Sequence, residues 1–238
     1  MMDFKQGWLI TKRELSVNRV MFIWCTVMMI YMGVLVGFLY YLKDDQFLNY
    51  GLLDLLMLVT APLLSIDYSR RSFRLMKDDT YRQQMIYFRS LPVPFAAVLG
   101  SRLQMMGIML LYNSMLFFGL IYMFGAHTIP GMTAGAYISF AITWIGLGLV
   151  ISAIYVYLEL TSSAKWYLFW SIISVMLMIG VAIAGMIFKW HLSELVMTLA
   201  LTEQLVSPLM WSALALAIVT LWLVFRSIDR KAKVRDLV

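Results

Sequence analysis

The sequence concentrates basic side chains in one polar segment, residues 67–102, which separates two apolar segments. Seven of the nineteen Lys and Arg residues lie there, together with the acidic pair Asp78 and Asp79 and the aromatic residues Phe73 and Tyr81. Charges of both signs steer a partner and fix its register, and desolvated aromatic anchors dominate the energy of many interfaces. These residue types indicate a surface that docks a soluble partner. The alternative is a solvated loop that only orients the chain in a membrane.

Asp54 is the only formally charged side chain clearly inside an apolar window. Charged groups within lipid cost free energy and tend to face a bundle interior or a cavity. One interpretation is therefore a substrate-recognition or proton-sensitive group that faces a transport pathway. The other is a carboxylate about two turns from the outer membrane surface, near Asn49 and Tyr50, that is hydrated or hydrogen-bonded there.

No set of residues in the sequence has the spacing of a catalytic or metal site. His127 and His191 are not in a His-Glu-x-x-His arrangement, and no Asp pair lies at matching depth in two apolar windows. Cys25 is the only cysteine, which excludes an intrachain disulfide and a thiolate cluster. The twenty methionines are spread over several helices and give a metal-export interpretation little support. We therefore predict a non-catalytic chain with no metal site and no cofactor of its own.

The composition is that of an integral membrane protein. Hydrophobic residues make up 62% of the 238 residues, charged residues 13%, and the mean hydropathy is +0.82. Soluble domains contain about 25% charged residues. Since each helical crossing needs about 20 residues, the chain has room for six crossings and short loops in a single membrane domain, residues 1–238.

Six continuously apolar windows predict six transmembrane helices in an all-α fold. None shows the period-two alternation of a membrane β-strand. The tract 103–158 contains two of the six, because turn residues at 125–131 interrupt it. The first window is too long for the apolar region of a signal peptide and lacks a small-residue cleavage site after it. The windows are 20–42, 47–66, 103–125, 134–158, 167–188 and 208–225.

Lys and Arg are distributed unequally between the two sets of loops. Seventeen lie on one side of the predicted membrane and two, Lys43 and Lys189, on the other. The positive-inside rule then places both termini, including the tail 226–238, and the loops 67–92 and 159–166 in the cytoplasm. The net charge of +6 indicates contact with anionic lipid headgroups rather than with nucleic acid.

Residues 1–19 precede the first window and carry apolar side chains at helical spacing. Phe4, Trp8 and Leu15 recur at i, i+4 and i+11, with charged residues around the rest of the turn. This pattern suits a short helix that lies in the membrane interface. An irregular basic leader is the alternative, because Gly7 lowers the helical propensity.

A short motif at the end of the basic segment carries a resemblance to a known family. An amphipathic N-terminal segment, two crossings and a basic loop precede the motif, and four crossings follow it. This arrangement resembles the six-helix membrane subunit of an ABC-2 type transporter, in the small bacterial permease branch. The motif residues are Ser90, Leu91, Pro92, Val93, Gly100 and Arg102.

The resemblance implies a transport function that depends on other subunits. In this family the loop between the second and third crossings carries a coupling helix that enters a cleft on a cytoplasmic ATPase, and the matching positions here are 72–82. ATP and Mg²⁺ are then bound by that partner, because no lysine of this chain lies in a Gly-x-x-x-x-Gly-Lys-Ser/Thr loop. The candidate contact residues are Arg70, Arg71, Phe73, Arg74, Met76, Lys77, Asp78, Asp79, Tyr81 and Arg82.

The resemblance also implies export across the bacterial cytoplasmic membrane and a second permease, either an identical copy or a related chain. Small residues four apart let helices approach closely. Gly33 and Gly37 form such a pair on the first crossing, and Gly180 and Ala184 on the fifth. Because the family's first, second and fifth helices line the substrate route and the dimer seam, these four residues and Asp54 are candidates for that route or seam. Packing within one subunit is the alternative.

Two further features lie near predicted helix ends. Arg102 and Glu159 fall at the cytoplasmic ends of two crossings, where snorkelling or mutual pairing explains them. Residues 190–206 are too short and too polar to cross but carry apolar residues at helical spacing. We expect them on the outer surface. The resemblance to ABC-2 exporters implies a lid over the exit there, and a lipid-surface helix that connects two crossings is the alternative.

A non-transporting membrane protein is the competing function. An immunity or regulatory protein that binds a peptide or a membrane partner needs the same apolar helices but no ATPase. The presence of a nucleotide-binding partner therefore distinguishes the two functions.

Overall fold

The chain is described by a computed structural model over residues 2–17, 19–42, 47–65 and 94–234. Within these residues the secondary structure consists of α-helices and two short 3-10 turns, so the all-α prediction is confirmed for this part of the chain. Its eight α-helices are α1 (Met2–Val17), α2 (Arg19–Leu42), α3 (Phe47–Leu63), α4 (Phe95–Phe124), α5 (Ala134–Thr161), α6 (Ala164–Phe188), α7 (Leu192–Glu203) and α8 (Pro208–Val234).

Five of these helices, α2, α4, α5, α6 and α8, are long and apolar enough to span a membrane. Many of their large apolar side chains are exposed, among them Met115, Ile187 and Phe188, as expected where lipid replaces water. These features indicate a multi-pass membrane protein. α3 has 17 residues and is shorter than the other five. The six-crossing topology, with both termini in the cytoplasm, stays a prediction.

Several helices extend beyond the predicted windows. α4 begins eight residues before the window 103–125, and α8 ends nine residues after the window 208–225. Arg102 lies inside α4 and Arg226 inside α8. A window ends at the first charge, whereas a helix continues for as long as its backbone hydrogen bonds are made. The windows therefore indicate the apolar part of each helix rather than its ends.

The predicted turn between the third and fourth windows is present. α4 ends at Phe124, a 3-10 turn covers Ala126–Thr128, and Gly131 has a φ of 79°, which glycine adopts without strain. Thr133 then caps α5, because its Oγ1 accepts a hydrogen bond of 3.1 Å from the backbone N–H of Ala136.

The core lies where α2, α3, α4, α5 and α7 converge. Phe117, Phe140 and Trp144 are among its largest fully buried side chains. Phe140 of α5 makes edge-to-face contacts with Tyr40 of α2 and Phe118 of α4, at ring-centroid distances of 5.9 Å and 6.1 Å. Such pairs contribute about 0.5–1.5 kcal/mol beyond the burial of their area. α5 also packs against α3, α7 and α8, so the core is organised around it.

Gly33 and Gly37 allow α2 to approach α4 closely. A Cβ atom at Gly33 would lie 3.0 Å from the Cβ of Leu120, and one at Gly37 would lie 2.9 Å from the Cβ of Phe124. Larger residues would force the two backbones apart. This contact is made within one chain, in agreement with the alternative interpretation of the pair. At Gly180, in contrast, no described atom outside its own helix backbone lies within 4 Å of a Cβ position.

α1 packs against the beginning of α4. A Cβ atom at Gly7 would lie 3.0 Å from the carbonyl oxygen of Ala97, so this glycine permits the contact rather than ending the helix. The buried Thr11 Oγ1 lies 3.2 Å from the carbonyl oxygen of Ser101, close enough to donate to it. Trp8 is nearly half exposed on the outward side. The predicted helix is therefore present, and its location in a membrane interface stays a prediction.

An ionic cluster joins α1, α4 and α5 at one end of the bundle. Arg102 Nη1 lies 3.5 Å from Glu14 Oε2, and Arg102 Nη2 lies 3.9 Å from Glu159 Oε1. The predicted pairing of Arg102 with Glu159 is present, and Glu14 is an additional partner. We call these three residues the inner ionic cluster.

We predict that Gly37→Leu destabilises the fold by about 1–3 kcal/mol, because overpacking the contact between α2 and α4 displaces both backbones. Thermal unfolding in detergent, followed by circular dichroism, measures the effect. Gly119→Leu is the matched control and should leave the melting temperature unchanged, because Gly119 is exposed on α4 and no described neighbour lies within 4 Å of its Cβ position. Equal melting temperatures for the two variants would contradict the role of Gly37 in packing within the chain.

Candidate functional site

α3 ends inside the bundle rather than at the level of the inner ionic cluster. Gly148 of α5 is eleven residues from Glu159, or about 16 Å along the helix. Ala61 in the last turn of α3 lies against Gly148, so close that a Cβ atom at Gly148 would overlap the Ala61 carbonyl. Asn113 of α4, eleven residues from Arg102, contacts the chain just after this turn. The end of α3 is therefore near the middle of the bundle.

Pro62 explains why α3 ends at this depth. Proline has no N–H to donate, and its ring displaces the carbonyl group one turn earlier. The chain then turns tightly, with hydrogen bonds of 3.4 Å from Leu64 N to Ala61 O and from Ser65 N to Pro62 O. The last carbonyl groups of a helix have no hydrogen-bond partners within that helix, so other parts of the protein must donate hydrogen bonds to them.

Polar side chains of α4 and α5 bind the carbonyl groups at this end of α3. Asn113 Nδ2 donates to the Leu64 carbonyl oxygen at 3.0 Å. Ser152 Oγ accepts a hydrogen bond from the Ser65 hydroxyl. It lies 3.1 Å from the Pro62 carbonyl oxygen and 2.8 Å from the Gly148 carbonyl oxygen, and its single proton is shared between these two acceptors. Irregular backbone at membrane depth is tolerated where it is buried in protein or lines a cavity. We call Pro62, Leu64, Ser65, Asn113 and Ser152 the mid-depth cluster.

Two buried oxygen atoms of α4 have no hydrogen-bond partner among the described residues, namely Asn113 Oδ1 and the Oγ of the adjacent Ser114. An unpaired buried polar group costs about 1–3 kcal/mol, which a water molecule or a polar ligand group would recover by bonding to it. The groups of the mid-depth cluster are neutral, and the described ranges contain no group of three His, Cys, Asp or Glu side chains that could hold a metal ion. The mid-depth cluster is therefore suited to binding a water molecule or a polar ligand group through hydrogen bonds.

A second polar contact lies nearer the other end of α3. Asp54 accepts hydrogen bonds from the backbone N–H groups of Leu192, at 3.0 Å, and Ser193, at 2.7 Å, and also from the Ser193 hydroxyl. These N–H groups begin α7, so the carboxylate satisfies the unpaired donors of a helix N-terminus and its charge is stabilised by the helix dipole. His191 Nδ1 lies 3.7 Å from Asp54 Oδ2. We call Asp54, His191, Leu192 and Ser193 the outer clamp.

The structure places the predicted site residues in different environments. Asp54 is almost fully buried and hydrogen-bonded, but its partners belong to α7 rather than to the nearby residues of α3. Its role on a substrate route stays a prediction. Gly100 has no close neighbour at a Cβ position in the described part of the chain, and Ala184 is half-buried. The candidate docking residues 70–82 and the motif residues 90–93 lie outside the described residues.

Sequence reasoning missed four polar side chains of these sites, Ser65, Asn113, Ser152 and Ser193. Asn113 could have been found, since an amide in the middle of an apolar window needs a hydrogen-bond partner. The serines carried no such signal, because a serine hydroxyl can bond to a backbone carbonyl of its own segment, as the 2.8 Å distance between Ser152 Oγ and the Gly148 carbonyl oxygen shows.

Comparison of the chain with protein-family models, with curated proteins and with solved structures finds no match. The function is therefore argued from the two polar contacts of α3 and from the sequence.

We predict that Asn113→Leu destabilises the protein by about 0.5–1.5 kcal/mol, because the hydrogen bond to the buried Leu64 carbonyl is lost, while removal of the unpaired Asn113 Oδ1 offsets the cost of leaving that carbonyl unpaired. The midpoint of thermal unfolding in detergent measures the loss. Ser174→Ala serves as the control, since that hydroxyl is largely exposed and bonds to the Trp170 carbonyl of its own helix. An unchanged midpoint for Asn113→Leu would mean that Asn113 does not hold the end of α3.

Proposed function

We propose that this chain is the membrane-spanning permease subunit of an ABC-type exporter, driven by a separate cytoplasmic ATPase. The order of elements supports the proposal: an N-terminal helix, apolar helices of spanning length, and a basic segment between α3 and α4. The ABC-2 resemblance implies the same order. ATP and Mg²⁺ belong to the partner, because the sequence of this chain has no phosphate-binding loop.

The observation that carries the proposal is the position of α3. Asn113 and Ser152 hold its last carbonyl groups in the middle of the bundle, and the sequence continues from Ser65 directly into the basic segment 67–102. A partner that moves this segment would displace the mid-depth cluster, because only a few residues separate the two. Each hydrogen bond there contributes about 0.5–1.5 kcal/mol, so bonds to water or to a substrate can replace it at small cost.

The basic segment supplies the docking surface in this proposal, through the residues between Arg70 and Arg82. The second permease, an identical or related chain, completes the substrate route. Gly180 and Ala184 of α6 are the better candidates for the seam, because α4 of the same chain already fills the surface at Gly33 and Gly37. The cytoplasmic side is the end that carries the inner ionic cluster, in line with the distribution of Lys and Arg.

Purification with an ATPase tests the proposal. The tagged chain should co-purify from its native membrane with a subunit that carries a phosphate-binding loop and hydrolyses ATP. Phe73→Ala removes a docking anchor and should weaken the complex by about 2 kcal/mol, roughly thirtyfold in affinity, with a matching loss of co-purified ATPase activity. Lys189→Ala, on the predicted outer side, is the control and should leave the recovered activity unchanged.

Cysteine labelling gives an independent check of orientation. In a Cys25→Ala chain, a membrane-impermeant maleimide should label Ser72→Cys from the cytoplasmic side only. Labelling from the outside would overturn the docking assignment. A stable chain that purifies without an ATPase would instead favour an immunity or regulatory protein that binds a peptide or a membrane partner.

A further inference from the structure

α7 is a short amphipathic helix that covers the core at the end of the bundle opposite the inner ionic cluster. Its buried side chains are Ser193, Val196, Met197 and Ala200, spaced three and four residues apart along one face. Val196, Met197 and Ala200 belong to the same core cluster as Met57 of α3 and Trp144 of α5. α7 does not span the bundle, and its other face, with Glu194 and Leu195, is exposed.

The connections on both sides of α7 are conformationally strained. Lys189, three residues before it, has φ 54° and ψ 38°, and Gln204, directly after it, has φ 49° and ψ −127°. In the described part of the chain these are the two non-glycine residues with positive φ. Side chains disfavour this region because the Cβ atom approaches the backbone, and such residues persist only where surrounding contacts impose them. Lys189 is the left-handed C-cap of α6, and the next N–H, that of Trp190, donates to the Gly185 carbonyl at 2.8 Å. The segment 189–204 is therefore bracketed by two backbone positions of raised energy.

The outer clamp is a contact that opposes this strain. Three hydrogen bonds join the carboxylate of Asp54 to the first turn of α7, two of them from backbone N–H groups at its N-terminus. Charge-assisted bonds of this kind are stronger than bonds between neutral groups. Removal of the carboxylate leaves those N–H groups without their partner and leaves the strained connections unopposed.

Two buried polar atoms belong to the same core cluster as the buried face of α7. Tyr40 OH and Trp144 Nε1 have no hydrogen-bond partner in the described residues, and Tyr40, Trp144 and Val196 are all members of the cluster. If displacement of α7 admits water to the cluster, hydrogen bonds to these two atoms offset part of the cost of exposing apolar surface.

We propose that Asp54 is a latch that holds α7 closed as a lid over the outer end of the core, and that movement of α3 releases it. α3 carries Asp54 ten residues before Leu64, so the latch and the mid-depth cluster lie on one helix, about 15 Å apart. A displacement of α3 that breaks the mid-depth hydrogen bonds also withdraws the carboxylate from α7. Only the source of this movement, the ATPase, rests on the proposed function.

Cysteine labelling of the full chain in membrane vesicles tests the latch without any ATPase. The background is Cys25→Ala, and the reporter Val196→Cys lies on the buried face of α7. A membrane-impermeant maleimide added at the outer side labels this thiol only when α7 opens. Asp54→Ala should raise the labelling rate about tenfold or more, corresponding to a shift of at least 1.4 kcal/mol in the opening equilibrium. Ser193→Ala, which keeps both backbone bonds, should give a smaller increase.

Three controls separate a latch from a general loss of structure. Glu194→Ala removes an exposed carboxylate from the same turn and should leave labelling of Val196→Cys unchanged. Leu195→Cys, exposed on α7, should label at one rate in all variants. Met109→Cys, fully buried in α4 and outside the core cluster that contains Val196, should stay protected in the Asp54 variants.

Each result of the labelling experiment either supports or overturns the latch. Unchanged labelling of Val196→Cys in Asp54→Ala overturns the latch, as does equal acceleration at Met109→Cys, which would mean that the whole bundle loosens. If Asp54→Ala fails to insert, Asp54→Asn, which weakens the clamp by removing its charge, must raise the labelling rate of Val196→Cys or the proposal falls. If Asp54→Ala accelerates labelling but no ATPase co-purifies with the chain, the lid is supported and only the transporter assignment is overturned.

Discussion

The satisfaction of backbone polar groups in apolar surroundings is the constraint on which this structure depends. Regular helices meet it internally, but α3 ends inside the bundle and α7 begins in a buried position at its end, where their terminal carbonyl and N–H groups have no partners within the helix. Side chains of sequence-distant helices supply them: Asn113 and Ser152 at the end of α3, and Asp54 at the beginning of α7. The helices α3, α4, α5 and α7 are therefore fixed to one another at these polar points, and the apolar packing around them follows.

Charge is distributed in accordance with the same constraint. Arg102 and its two carboxylate partners lie at one end of the bundle, where partial exposure lowers the cost of desolvation. Asp54 is more fully buried and has a different kind of partner, the N-terminus of α7, whose N–H groups and dipole stabilise the anion. A contact between a charge and a helix end depends on the position of the whole helix. Movement of either element changes it, whereas a pair of flexible side chains can follow such movement.

The sequence predicts the helices well, but it does not predict which residues of other helices they contact. Continuous apolarity identified the five long helices, because lipid requires it along the whole length of each. The close approach at Gly37 was also predictable, since small residues four apart permit it, but the pattern does not specify whether the neighbour is α4 or a second chain. The partner of Asp54 is 139 residues away at Ser193, and no local pattern encodes such a contact. The early end of α3 followed from Pro62, whose effect inside an apolar window depends on which neighbours satisfy the freed carbonyl groups.

The lateral contacts of α3 bear on the movement that the proposed latch requires. Where α3 meets α5, Ala61 lies on Gly148, and where it meets α6, the Met186 side chain lies over Gly51. Small residues and a flexible methionine accommodate a small shift of one helix along another more readily than interlocked large side chains do. Under the proposed function, a force applied at residues 67–102 would first break the hydrogen bonds at the two polar contacts, because hydrogen bonds fail over short distances while apolar packing is retained. A bonded and a displaced arrangement of α3 are the two states that this proposal requires.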